Sequence, residues 1–232
     1  MKCVILQPSY IPWRGYFHQI ARSDVFVFYD DVQYDTRGWR NRNRIKTADG
    51  TRWLTIPVHS KGAQTDHIAI NKIKIDWSKS WNEQHWQTLK HAYAKAPFFS
   101  QFSEKLQEIY SQTNDLLADF TIPLTIQVSN WLGFRPQFIR SSEISTHGDK
   151  TERLISILQS LGADHYISGP SAMDYIEPVL FEQAGINLEY MQYNYPEYPQ
   201  LYPPFEGQVT ILDLLFMTGD NAKNYIIGNQ NA

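Results

Sequence analysis

The stretch CVILQPSYIPWRGYFHQIARSDVFVF, residues 3–28, decides the fold. It opens on four apolar residues, Cys3 to Leu6, followed by a polar loop with two prolines. Trp13, Tyr16, Phe17, Ile20 and Ala21 then recur at the spacing of one helical face. A second apolar run, Val25 to Phe28, closes the unit. Short runs that are apolar on both faces, joined by an amphipathic helix, describe a strand–helix–strand crossover with parallel strands.

The alternation returns in the second half. Gln137 to Arg140, His165 to Ser168 and Leu188 to Gln192 read as further strands. Lys150 to Leu161 places Leu154, Ile157, Leu158 and Leu161 on one helical face, and Pro178 to Ala184 forms a shorter helix ended by Gly185. The expected fold is α/β: a parallel, doubly wound sheet of about five strands with helices on both faces.

Two insertions interrupt it. Asn43 to Val58 alternates around Ala48-Asp-Gly-Thr51, a hairpin signal, and Ile68 to Ile75 reads as a third strand, so residues 43–75 form a ribbon. Residues 78–133 read as a helical insertion with helices over Lys79–Lys95, Phe99–Gln112 and Asn114–Leu132. All 232 residues are expected in one domain, with a polar tail fraying from Asn221.

The net charge of −3 argues against a dominant nucleic-acid or membrane-surface role. Cys3 is the single cysteine, so no intrachain disulfide forms and a reducing, cytoplasmic compartment is expected. The first apolar run ends at Leu6, too short for a signal peptide, and no run approaches the roughly 20 residues of a membrane span. Seven Trp and fourteen Tyr suit a wet cleft with aromatic walls.

In open parallel sheets ligands bind beyond the carboxyl ends of the strands, near the point where strand order reverses. Four segments are candidates. The loop Gln7 to His18 offers Gln7, Ser9 and Tyr10 as hydrogen-bonding groups, with Trp13 and Tyr16, and Gly15 allows close approach at the helix start; a proline-stiffened connection without ligand is the alternative. Asp30 and Asp31, followed by Gln33, end a strand and suit a general base, a metal or sugar hydroxyls. Adjacent residues of an extended chain point opposite ways, so one of the two carboxylates faces a site at most.

Between Arg37 and Lys46 there are five basic residues in ten positions. Alternation puts Arg40, Arg42, Arg44 and Lys46 on one side and Asn41, Asn43 and Ile45 on the other. Arginine forks suit phosphate or carboxylate; a charge-protected edge strand is the alternative. The fourth segment joins Ser168-Gly-Pro-Ser171 and Tyr175 with a tyrosine–proline arm, Tyr193 to Tyr202. Lys150 and Arg153 open a helix nearby as anion contacts, without the spacing of a phosphate-binding Walker loop. The dinucleotide, nucleophile-elbow and zincin motifs are absent, and His85 and His91 share no helical face, so no metal site is expected.

These blocks together resemble the WbqC-like family: Gln7 to Phe17, Asp30-Asp-Val-Gln33, Trp39-x-Asn-Arg-Asn43, Lys150-Thr-Glu-Arg-Leu154, Ile167-Ser-Gly169 with Tyr175, Tyr198-Pro-Gln200 and Ile211-Leu-Asp-Leu-Leu215. They occur in order over nearly the whole chain. The resemblance implies a place in bacterial surface-polysaccharide (O-antigen, lipopolysaccharide) biosynthesis and transfer of glycine or another acyl group to an amino sugar. It assigns no catalytic residue.

A more distant fold resemblance is to HUP nucleotidyltransferase domains, including pantoate–β-alanine ligase. There His-x-Gly-His holds ATP phosphates; here Trp13-Arg-Gly-Tyr16 stands instead, without either histidine. Gln33-Tyr34 is similar to the Gln-Phe with which that ligase holds its acid. Three functions remain open: an acyl or aminoacyl transferase on a nucleotide-linked sugar, an ATP-dependent ligase, and a non-catalytic assembly protein. The ligand expected is a small anionic metabolite. A nucleotide or an acyl donor is the candidate cofactor, and no motif indicates Mg²⁺.

Overall fold

The computed structural model describes residues 1–228. β1 (Lys2–Leu6), α1 (Arg14–Arg22) and β2 (Val25–Phe28) form the opening crossover. A hairpin of β3 (Arg42–Thr47) and β4 (Gly50–Thr55) follows, then α2 (Trp81–Tyr93), α3 (Phe99–Ser111) and α4 (Leu117–Trp131). The alternation resumes with β5 (Gln137–Arg140), α5 (Lys150–Leu161), β6 (His165–Ser168), α6 (Pro178–Gln183) and β7 (Asn187–Tyr190). Two short helices, α7 (Ile211–Thr218) and α8 (Asn224–Ile227), end the described chain.

The five-stranded sheet runs β5-β2-β1-β6-β7 with every neighbouring pair parallel, so the expected α/β architecture is observed. Strand order reverses at β1, with β2 and β5 on one side and β6 and β7 on the other. Val4, Phe26, Phe28 and Ile167 pack with Phe17 and Ile20 of α1 and with the helical insertion. Cys3, Ile5, Val25, Val27 and Tyr166 pack on the other face against Leu154, Ile157 and Leu158 of α5 and Phe181 of α6. The two-residue period of a strand thus serves two cores, which is why these runs show no polar alternation.

The hairpin turns at Ala48-Asp49, with Thr47 paired to Gly50 at φ +104°, a conformation open to glycine. Ile68–Ile75 is not a third strand. Pro57 follows β4 and has no N–H to continue a ladder. The segment makes single bridges, Ala69 with Gln33 and Ile75 with Val58, around a short 3₁₀ turn at Ile70–Lys72. Its amides go elsewhere: Asn71 donates to the Asp30 carbonyl and Ile75 to that of Asp115. The chain does not fray at Asn221; Ala222 and Ile226 are buried and anchor α8, while residues 229–232 lie outside the described part. Among the described residues no helix is long and apolar enough to cross a membrane.

Candidate functional site

A cavity of about 880 Å³ opens beyond the carboxyl ends of β1 and β6, the two strands that flank the reversal of strand order. That is the position where such sheets bind ligands, and the volume suits a small molecule of nucleotide size. Leu6 and Gln7 from the end of β1, Gly169 after β6 and Lys150 at the start of α5 all reach it.

The loop from Gln7 to Trp13 is held from several directions. Asn43 of β3 donates its amide to the carbonyls of Tyr10 (3.2 Å) and Ile11 (2.9 Å). The Tyr10 amide donates to the Trp39 carbonyl, and the Ile211 amide to that of Pro12. These bonds hold Ile11 at φ +37°, a strained value for a β-branched residue. Trp13 lies along the cavity wall, edge-on to Tyr193 and Tyr195. Tyr16 also lines the cavity, and its hydroxyl donates to the Gln7 carbonyl at 3.2 Å. Burial raises its pKa, so it stays a neutral donor.

Two cations reach the wall. Arg40 donates to the carbonyls of Gln7 (3.2 Å) and Pro8 (3.4 Å), which leaves its buried Nε without a partner among the described residues. Burial lowers the pKa of this guanidinium. Lys150, the first residue of α5, is held at φ +44°. Among the described residues lining the cavity, none is Asp, Glu or His. Flat faces complete the wall: Trp13, Tyr29, Trp39, Tyr166, Tyr175 and Tyr193.

Asp30 and Asp31 stand beside this space, not on its wall. Asp30 is fully buried and accepts from the Ser142 amide (3.1 Å), the Ser142 hydroxyl (3.0 Å) and the Ser141 hydroxyl (3.3 Å). It ties the end of β2 to the turn after β5. Asp31 accepts from Ser141 and from Arg153 Nη2 at 2.6 Å, and the Arg153 guanidinium sits 5.4 Å above the Tyr29 ring. The pair therefore braces Tyr29. Gln33 faces outward, bonded to Gln64 and His67.

The remaining expected residues divide between wall and scaffold. Gln7, Trp13, Tyr16, Trp39, Asn43, Lys150, Gly169 and Tyr175 meet at the cavity. Tyr10 is buried in the helical insertion, bonded to His85 and Tyr110. Gly15 underlies the Trp13 ring. Arg37 is exposed, and Arg42 donates to the carbonyls of Arg37 and Gly38 while stacking on Trp53. Lys46 is buried and donates to the Pro204 carbonyl. Ser168 bonds Tyr166. Tyr198 and Gln200 both donate to Asp213 of α7, at 2.8 and 2.7 Å, and clamp the tyrosine arm to the body.

Of the other wall residues, Gln19 and Gln208 lie outside every candidate segment of the sequence, whereas Arg40, Tyr29 and Tyr193 lie within such segments without being distinguished from their neighbours. Arg40 was visible as one of the clustered cations, but nothing in the alternation separates it from Arg42. Tyr193 was visible as the first residue of the arm, and Gln19 carried no signal at all.

The pattern of the WbqC-like protein family matches residues 7–225. A relative described as "Uncharacterized protein Rv1507c", from Mycobacterium tuberculosis (strain ATCC 25618 / H37Rv), is 39% identical over 227 residues, covering 97% of each chain. No solved structure matches the chain. With the match running from the loop after β1 to the last helix, the chain belongs to the WbqC-like protein family.

Proposed function

We propose that the cavity binds a nucleotide-linked amino sugar and that the protein transfers an acyl or aminoacyl group to it, in the making of a surface polysaccharide. One observation carries the reading: a cavity of about 880 Å³ combines aromatic faces with two cations, Arg40 and Lys150, and no lining carboxylate. The positive charges of a guanidinium and an ammonium suit a diphosphate. The indoles of Trp13 and Trp39 offer surfaces for a base or a pyranose ring. In the transfer, the sugar nitrogen attacks the acyl carbonyl, a C–N bond forms and the bond to the donor's leaving group breaks. The amine's proton departs with that group. Asp30 and Asp31 serve this reading as framework, since they shape the Ser141-Ser142 turn and hold Arg153 against Tyr29.

The test is a binding panel on the purified chain: UDP-sugars, dTDP-amino-sugars, acyl-CoAs and ATP, each with and without Mg²⁺. A ligand at 100 times its Kd stabilises by about 2.7 kcal/mol, a readable melting shift. A shift with nucleotide sugars that Lys150→Ala abolishes supports the transferase. A shift with ATP–Mg²⁺ alone replaces it with the ligase, and a blank panel replaces both with an assembly role.

A further inference from the structure

We infer that Trp39 and Gln208 form the subsite for the nucleobase, so that the ligand lies with its base at the β3–β4 hairpin. The inference rests on the nucleotide-sugar reading and adds which end of the ligand meets the hairpin. Trp39 lines the cavity and is nonetheless 43% exposed, so its ring is open to a ligand. It is also braced. The Trp53 ring lies 5.2 Å away between centroids, with the planes 31° apart, and Arg42 sits over Trp53 at 4.9 Å. Arg44, paired with Trp53 across the hairpin, lies 6.0 Å from the Trp39 centroid and 5.8 Å from that of Trp53. Two indoles left nearly half exposed add little to a core. A flat face held in place yet accessible is what a stacking base needs, because little freedom remains to be lost on binding.

Arg44 joins Gln208 to this face. Its Nη2 donates to the Gln208 carbonyl at 2.9 Å and to Gln208 Oε1 at 3.2 Å, while the Gln208 amide donates to Glu206 Oε1 at 2.8 Å. A guanidinium only donates, so the side-chain oxygen must face Arg44 and the NH₂ group is the part left for a ligand. Gln208 is exposed and lines the cavity, so this donor is within reach. An aromatic face with an oriented amide donor suits a planar ring that carries acceptors on its edge, as nucleobases do. The chain order agrees: Arg40 follows Trp39 and also lines the cavity, so a diphosphate at Arg40 leaves its nucleoside close to Trp39. Water competes with the amine for the acyl group, so the reacting end belongs away from the exposed rim. The half-exposed indole then takes the part of the ligand that does no chemistry.

The experiment is calorimetry of the full chain with UDP and with UDP-glucosamine, beside thermal melts of each variant. Both probes are expected to bind the wild type. Trp39→Ala should weaken both about tenfold and to the same extent, since the lost contact is with their common base. Trp39→Phe keeps an aromatic face and should retain most of the affinity. Gln208→Leu, at an exposed position, should keep the wild-type melting temperature and weaken both probes several-fold. A loss confined to UDP-glucosamine in Trp39→Ala puts the sugar on this indole and overturns the inference, as does unchanged affinity for both probes. Should Trp39→Ala melt early, Gln208→Leu decides, and wild-type affinity of that variant for UDP overturns the inference. A wild type that binds UDP-glucosamine but not UDP overturns it as well. One that binds neither probe overturns the nucleotide-sugar reading itself, and this inference with it.

Discussion

The Trp13 indole occupies the place where a side chain on Gly15 would be: a Cβ built there lies 2.3 Å from the ring. Gly15 is the second residue of α1, where alanine would ordinarily gain up to about 1 kcal/mol over glycine. Here the sign reverses, because the ring that forms the cavity wall must move. Gly15→Ala is expected to destabilise by about 1–3 kcal/mol and to weaken ligand binding. Urea denaturation followed by tryptophan fluorescence checks it, and a gain in stability would show that Trp13 has room to shift.

Lys150 holds a left-handed conformation, φ +44°, on the wall of the cavity. Such a conformation costs a non-glycine residue roughly 1 kcal/mol or more. Lys150→Gly should therefore raise stability by about 1 kcal/mol while lowering nucleotide-sugar affinity. Thermal melts without and with ligand measure both effects, which are expected to move in opposite directions.

The two adjacent carboxylates are not equivalent. Asp30 is fully buried with three accepted hydrogen bonds from Ser141 and Ser142, so Asp30→Ala is expected to cost about 3 kcal/mol. The Asp31–Arg153 pair is about a fifth exposed, with side chains at 22% and 23%, and Asp31→Asn should cost about 1 kcal/mol or less. Equal losses of stability in the two variants would contradict this division of labour.

Burial lowers the pKa of His85 to about 4, below the ordinary 6.5, so the folded state favours the neutral ring bonded to Tyr10. At pH 7 the ring is neutral in the folded chain and mostly neutral in the unfolded one, so little is lost. As the pH falls below 6.5 the unfolded chain takes up the proton first, and stability declines until about pH 4. Between pH 7 and pH 5 the loss from this one group is about 2 kcal/mol. His85→Gln should flatten that part of the stability–pH curve relative to wild type, as read by urea titrations at the two pH values.

Much of the fold was legible because its signals are local. Val25–Phe28, Gln137–Arg140, His165–Ser168 and Lys150–Leu161 have the bounds that their apolar runs and 3.6-residue spacing imply. Where local signals compete, the reading failed. Ile68, Ile70, Ile73 and Ile75 look like a strand, yet their backbone partners lie in the β2 loop and ahead of α4. Helix α7 is apolar on nearly every side, from Ile211 to Phe216, so it shows no face to detect. The site was half legible. Loop positions such as Trp13 and Lys150 follow from the strand-end rule, whereas the role of Asp30 depends on Ser141 and Ser142, far away in the chain. Gln208 becomes notable through its bonds to Arg44, a distant pairing that no residue pattern encodes.

The hairpin and three long helices stand between β2 and β5, yet Val25 pairs directly with Gln137. Closing so long a loop is entropically costly until its contents have compacted. The insertion has its own dense aromatic packing around Trp81, Trp86, Tyr110 and Phe120, so it is expected to collapse before the sheet gains β5 at its edge. Core-thinning substitutions in α2 or α3 will then slow refolding of the whole chain, even though those helices contribute no side chain to the cavity.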